Sequence, residues 1–296
     1  MTDMFAPAAQ CVPLVKLASA TLADLRRWTS EHLPDCRDLP LVGVAFGEAV
    51  IGPWATADQL RIPARVATWV CAFDDYLEHE ITELRGVDEF LERCDAVVRT
   101  GKRDDGNPVL AGLSALQRDL GELTGYPALA SLWERKFDSC LRGHRYDWIA
   151  GWARVRGRAP EAGVKLDVEE YLEHVDSISL WHVQVPRWLA YGGDELPEHL
   201  DVLVPAVDDS AVLARLANDL GTIARERSEP GQNNLLMYDG VTEDWVRDEI
   251  AGRMAALRRR VAALVAENYP PAVSLIRQAE WTIGVYLGND LRTMTG

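Results

Sequence analysis

Two stretches of this chain carry residue types that could act together on a metal ion. The first, Asp74-Asp75-Tyr76-Leu77-Glu78, closes an apolar run from Ala67 to Phe73. On a helix, positions i and i+4 share a face, so Asp74 and Glu78 point the same way, with Asp75 about 100° round. Carboxylates at the C-terminal end of a helix face the negative pole of its dipole, and their charges repel each other. A divalent cation relieves both. Hard oxygen ligands with one or two carboxylates suit Mg²⁺, which retains waters and also takes phosphate oxygens. The plain alternative is a solvated helix end on a chain with 46 acidic residues.

The second stretch is Asn218-Asp219-Leu220-Gly221-Thr222-Ile223-Ala224-Arg225-Glu226. Asn218, Thr222 and Glu226 fall at i, i+4 and i+8, within about 80° of one helix surface. An amide oxygen, a hydroxyl and a carboxylate in one line can chelate a single hard cation. Arg225 stands beside Glu226 and could face an anion held by that cation. The alternative is a helix surface on which Thr222 bonds back to its own carbonyls. The two stretches in tandem, each on an apolar helix, favour the metal reading over either alternative.

The elements that position them read as all-α. Apolar residues recur at three and four almost everywhere, and no strand-like alternation runs over a useful length. The pattern predicts helices from about Ala23 to His32 (Thr21 as N-cap), Leu41 to Trp54, Ala57 to Glu80, Val87 to Arg99 and Pro108 to Leu123. A long one follows from Pro127 to Arg156, with Gly143 as a point of bending. After a loop from Gly157 to Lys165, Asp167 caps a helix from Val168 to Tyr191, interrupted at Ser177-Ile178-Ser179 and at Pro186. The last three run from Asp208 to Glu226, from Thr242 to Asn268 and from Ala272 to Gly288. No linker divides the chain, so residues 1–296 read as one domain.

Net charge is −15, which excludes a basic nucleic-acid face and an anionic membrane surface as partners. An acidic protein still binds an anionic substrate when metal cations sit between them. The five cysteines are scattered, as in a reducing compartment, and no segment reads as a signal peptide or a membrane span. The expected location is the cytoplasm, and the charge is compatible with a monomer or a homodimer.

The two motifs resemble the aspartate-rich DDxx(D/E) motif and the (N/D)Dxx(S/T)xxxE motif of class I terpene synthases. Chain length, motif separation and the helical pattern are similar to bacterial members, and Trp148 to Tyr171 resembles their middle region. The resemblance implies a helical bundle around a central apolar pocket. It implies three Mg²⁺ ions bridging both motifs to a substrate diphosphate, with Asp74 and Glu78 for two ions and Asn218, Thr222 and Glu226 for the third. It implies Arg225 as a diphosphate contact. A carbocation left by ionisation needs a dry pocket with aromatic walls. Candidates are Trp69, Phe73, Trp148, Trp152, Trp181, Trp188, Trp281 and Tyr286, of which Phe73 and Trp281 are selected as substrate contacts. Core packing is the competing reading for each.

The sequence departs from the family in two diphosphate donors. Where many members have a sensing arginine four residues after the tyrosine like Tyr171, this chain has Val175; His174, His182 and Arg187 are the nearby cations. A C-terminal Arg-Tyr pair is absent, with Arg292 as the one candidate to stand in. This pattern is similar to diterpene synthases that act after a class II cyclase on a labdane-type diphosphate. A cyclase acting directly on geranylgeranyl or farnesyl diphosphate, a chain-elongating prenyltransferase and a non-catalytic isoprenoid-binding protein remain as alternatives. The second would need another aspartate-rich motif where Asn218 and Thr222 stand. Asp74→Ala and Asn218→Ala are each expected to abolish turnover while circular dichroism shows unchanged helicity; retained activity would mean the metal ligands lie elsewhere.

Overall fold

The computed structural model describes residues 8–36, 38–157, 161 and 163–288. Arg158, Pro160 and Arg292 lie outside the described residues. Among those described there are no strands, and twelve α-helices follow in order: α1 (Val12–His32), α2 (Leu41–Ile51), α3 (Ala57–His79), α4 (Leu84–Thr100), α5 (Pro108–Gly121), α6 (Tyr126–Val155), α7 (Val168–Glu173), α8 (Leu180–Tyr191), α9 (Leu200–Glu226), α10 (Glu243–Arg260), α11 (Ala262–Ala266) and α12 (Pro270–Gly288). The all-α expectation holds.

The caps explain several starts. Thr56 and Gln59 form a reciprocal capping box that opens α3, with Gln59 N donating to Thr56 Oγ1 at 3.2 Å and Thr56 N donating to Gln59 Oε1 at 2.9 Å. Asn107, Asp167 and Thr242 cap α5, α7 and α10 one way, each side-chain oxygen accepting from the backbone N–H three residues on. From its box α3 runs unbroken past Pro63 to His79, so the acidic stretch emerges on a rigid rod.

Several boundaries differ from the sequence pattern. Helix α1 begins at Val12, about three turns before Ala23, and Thr21 is no cap: it is buried inside the helix with its hydroxyl donating to Leu17 O. Pro186 does not interrupt α8, which continues to Tyr191 with the proline inside it. Proline removes one backbone donor there, and the burial of α8 from Leu180 to Trp188 holds the segment helical. Helix α9 begins at Leu200 and carries Pro205 within it. Helix α6 runs continuously through Gly143. A Cβ at that position would lie 2.6 Å from Ser177 N and 2.8 Å from His174 O. The glycine therefore lets the backbone of α6 touch the 3-10 turn Val175–Ile178.

The main core cluster draws buried residues from Trp28 to Ala279. Trp69 stacks on Phe137 at 6.0 Å between ring centroids, and its indole N–H donates to Val109 O at 2.8 Å. Helix α3 packs against α8, α1 and α5, and α9 packs against α12 and α10. Six helices, α2, α3, α6, α8, α9 and α12, are left facing a common interior space. Gly143→Ala is expected to lower stability by about 1–3 kcal/mol, because only backbone surrounds the added methyl. Denaturant unfolding checks this; an unchanged midpoint would show that the two segments can part at no cost.

Candidate active site

The space between those helices is a cavity of about 560 Å³. Asp74, Asp75 and Glu78 of α3 line it, and Asn218, Arg225 and Glu226 of α9 line it from another side. The two motifs, 144 residues apart from Asp74 to Asn218 in sequence, thus meet across one opening. Among the described residues no three His, Cys, Asp or Glu side chains converge into a ready coordination sphere. The donor set is instead divided between two facing helices, which suits cations that also take oxygens from a bound anion.

The two halves differ in character. Asp75 and Glu78 are exposed, and His79 Nε2 lies 3.5 Å from Asp75 Oδ1. Glu226 is buried, and burial raises its carboxyl pKa against the opposing pull of the Asn234 amide and the Arg215 guanidinium. Asn234 Nδ2 donates to Glu226 Oε2 at 3.0 Å. A buried carboxylate held in this way favours a nearby cation. Thr222 is buried, is not on the cavity wall, and donates its hydroxyl to Asn218 O at 2.8 Å. Its oxygen also lies 3.5 Å from Asn234 Nδ2.

Beneath α9 lies a cluster that the sequence reading missed. Arg215, one turn before Asn218, lines the cavity with its side chain only 11% exposed. Its Nη1 lies 3.0 Å from Asp147 Oδ2 and donates to Ser177 Oγ at 3.2 Å; its Nη2 donates to Asn233 O at 2.6 Å. Its Nε donates to the Tyr171 hydroxyl, which donates in turn to Asp219 Oδ2 at 2.7 Å. Burial pushes the Asp219 carboxyl up to about 7, against the Arg215 charge and the Tyr171 hydrogen bond. One guanidinium therefore ties α6, α7, α9, the 3-10 turn and the loop after α9 together. The spacing of Arg215 to Asn218 was the available signal.

His144 was also missed. It lines the cavity, with Nε2 2.9 Å from Ser179 Oγ and Nδ1 3.6 Å from Asp74 Oδ1. Burial lowers its pKa well below the usual histidine value, so the ring is neutral at pH 7. Ser179 sits at φ 58°, a left-handed position between the 3-10 turn and α8. The histidine thus connects the acidic stretch to the break before α8.

The other expected groups divide cleanly. Trp148, Trp152, Trp281 and Tyr286 line the cavity; Trp69, Trp181 and Trp188 are core side chains. Phe73 is a correction: it is fully buried between Trp69, Phe90 and His144, one layer behind the wall. Of the cations near Val175, none reaches the opening. His174 stacks on Tyr146, and His182 is enclosed by aromatic rings with its pKa lowered by burial to about 3. Arg187 lies at the opposite end of the cavity, paired with Glu48.

Comparison with known proteins agrees with this geometry. The family described as terpene synthase family 2, C-terminal metal binding, matches residues 65–260, a span that contains both motifs. The chain belongs to the terpene synthase family. It is 41% identical over 278 residues to the ent-pimara-9(11),15-diene synthase of Streptomyces sp. (strain KO-3988), covering 94% of this chain and 92% of that one. The fold is similar to linalool/nerolidol synthase from Streptomyces clavuligerus, with TM-score 0.66 and 18% identity over 88% of this chain and 95% of that one. Germacradien-4-ol synthase from Streptomyces citricolor gives 0.65 and 16% over 92% and 94%. The protein is a class I terpene synthase, a metal-binding lyase whose substrate is a prenyl diphosphate. Among its described residues no helix is long and apolar enough to cross a membrane.

Removing one partner from a buried charge cluster costs about 3–5 kcal/mol. Arg215→Ala in this terpene synthase is expected to cost that much stability and to eliminate turnover. Arg215→Lys keeps the charge but loses the planar fork, and is expected to fold with activity reduced at least tenfold. Thermal unfolding and steady-state diphosphate release check both; wild-type activity in Arg215→Lys would show that the fork is not needed.

Proposed function

We propose that this terpene synthase acts as one helical domain. In this reading it uses three Mg²⁺ ions to ionise a labdane-type bicyclic diphosphate and converts the resulting cation to a diterpene. The observation that carries the substrate class is the 41% identity, across nearly the whole of both chains, to a synthase named for a pimaradiene. A pimaradiene is a tricyclic C20 hydrocarbon, one ring beyond a labdane. A bicyclic substrate brings most of its shape with it, which agrees with the lack of an arginine at Val175 to sense and fold a linear chain.

Asp74 and Glu78 would hold metal from α3, and Asn218, Thr222 and Glu226 from α9. For this, Thr222, buried behind the cavity wall, would have to turn its hydroxyl from Asn218 O toward the opening. Bound Mg²⁺ supplies Lewis-acid neutralisation of the diphosphate, which makes it a competent leaving group. Asp75 and Asp147 add negative charge at the same opening. Arg215 and Arg225 present N–H donors to the diphosphate from the α9 side and take the place of the sensing arginine. Beyond the opening, Val70, Leu180, Val183 and Ile51 offer no nucleophile and exclude water. The faces of Trp148, Trp152 and Trp281 stabilise positive charge on the hydrocarbon.

The test is incubation with Mg²⁺ and each of farnesyl, geranylgeranyl and labdane-type diphosphates, the last made in situ by a class II cyclase. Products are read by gas chromatography and diphosphate release by a coupled assay. A C20 hydrocarbon formed only when the class II cyclase is present is the expected result. A product from geranylgeranyl diphosphate alone would make the protein a direct cyclase, and no metal-dependent diphosphate release from any substrate would overturn the proposal.

A further inference from the structure

The cavity is not apolar throughout. On the helices that line it, its residues run from the opening inward: Leu180 to Arg187 on α8, Asp74 back to Ala67 on α3, Val285 back to Gln278 on α12. Each span is seven residues, so the far end lies about 10 Å from the opening at 1.5 Å per residue. At that far end stands a charged group. Glu48 of α2 and Arg187 of α8 are 3% and 1% exposed, and both line the cavity. Arg187 Nε donates to Glu48 Oε2 at 3.1 Å, and its Nη2 donates to Glu48 Oε1. The remaining nitrogen donates to Gln278 Oε1, and Gln278 Nε2 donates to Thr282 Oγ1 at 3.0 Å.

Stability does not account for this arrangement. Replacing a buried ion pair by apolar side chains of similar volume is often neutral or stabilising. A hydrocarbon cavity gains nothing in affinity from a carboxylate in its wall. A carbocation does gain from one. Its charge is attracted to the carboxylate in a low-dielectric space, and its adjacent C–H bonds are acidic enough that any carboxylate oxygen in contact accepts the proton. The two Arg187 bonds occupy only part of the lone-pair capacity of Glu48.

The geometry points to Glu48, held in place by Arg187, as the catalytic residue that accepts the proton ending the reaction; this rests on the proposed function. A C–H bond next to the cationic carbon breaks, and its electron pair becomes the π bond of the alkene. The proton forms an O–H bond on Glu48 and passes to water when the product leaves. The released diphosphate, held at the opening, is about 10 Å away from this end. A proton lost deep in the cavity therefore goes to Glu48, and the position of the new double bond follows from where that carboxylate sits. Arg187 is a positioning residue; its third nitrogen donates to Gln278, which Thr282 holds in turn.

The test compares the wild-type protein with Glu48→Gln and with Glu48→Gln/Arg187→Gln, which removes both charges together. Folding is checked by thermal unfolding, and each protein is given Mg²⁺ and the substrate that the wild type turns over. The expected result is a fall of about tenfold or more in the wild-type alkene per diphosphate released, with the balance appearing as double-bond isomers or as alcohol. A structural role would not move the double bond. An unchanged product ratio in a folded variant overturns the assignment. So does a folded variant that releases no diphosphate, because an acceptor of the last proton has no part in the first ionisation. Failure of both variants to fold marks a structural ion pair and overturns it as well. A wild-type protein that releases no diphosphate overturns the proposed function itself, a result distinct from all of these.

Discussion

The site depends on one buried guanidinium. Arg215 is surrounded by Asp147 from α6, Tyr171 from α7, Ser177 from the 3-10 turn and the Asn233 carbonyl from the loop after α9. Asp219, one turn further along its own helix, lies 3.6 Å away. A charge taken out of water is tolerated only when its donors are met, and here the partners come from four separate segments. Satisfying Arg215 therefore fixes how those segments stand relative to α9. Asn218 and Glu226 project from that helix, so the geometry of half the proposed metal site follows from an ion cluster beneath it. The loop after α9 is drawn in by the same network, since Asn233 Nδ2 donates to Asp147 Oδ1 at 2.7 Å and Asn234 donates to Glu226.

The facing half is built differently. Helix α3 is fixed by its capping box at one end and by Trp69, Ala72 and Phe73 in the core along its length. It ends in carboxylates that reach the opening of the cavity, with Asp75 and Glu78 exposed. A donor set anchored by the buried Glu226 thus faces a solvent-exposed one. Such a pair is incomplete without something between its members, which is the condition for metal and anion to bind together. The polarity of the cavity continues this division: charge at the opening, apolar and aromatic walls in the middle, and a neutralised ion pair at the far end.

Much of this was legible in the sequence, for physical reasons that differ by feature. The helices were legible because their apolar residues repeat at the helical period, and the motifs were legible because i, i+4 spacing alone puts side chains on one face. The start of α1 was not, because exposed Val12 and Val15 blur the inward stripe of Leu14, Leu17 and Ala18. The close approach at Gly143 was not legible either, since a sequence cannot distinguish a glycine that loosens a helix from one that admits another backbone. Phe73 and Trp281 looked alike as aromatic residues on apolar helices; only the packing assigns one to the core and the other to the wall. Arg215 was passed over because burial of a charge is decided by partners distant in sequence. Glu48 was passed over for the same reason, its partner Arg187 lying 139 residues away in sequence.

In the proposed reading the two motifs act as one site completed by metal and diphosphate together. Calorimetric titration of Mg²⁺ into the protein, with and without inorganic diphosphate, tests it most directly. The account predicts weak Mg²⁺ binding alone and binding strengthened at least tenfold by diphosphate, with the reciprocal strengthening of diphosphate by Mg²⁺. Diphosphate that binds equally well without Mg²⁺, or Mg²⁺ that binds equally well without diphosphate, would contradict it.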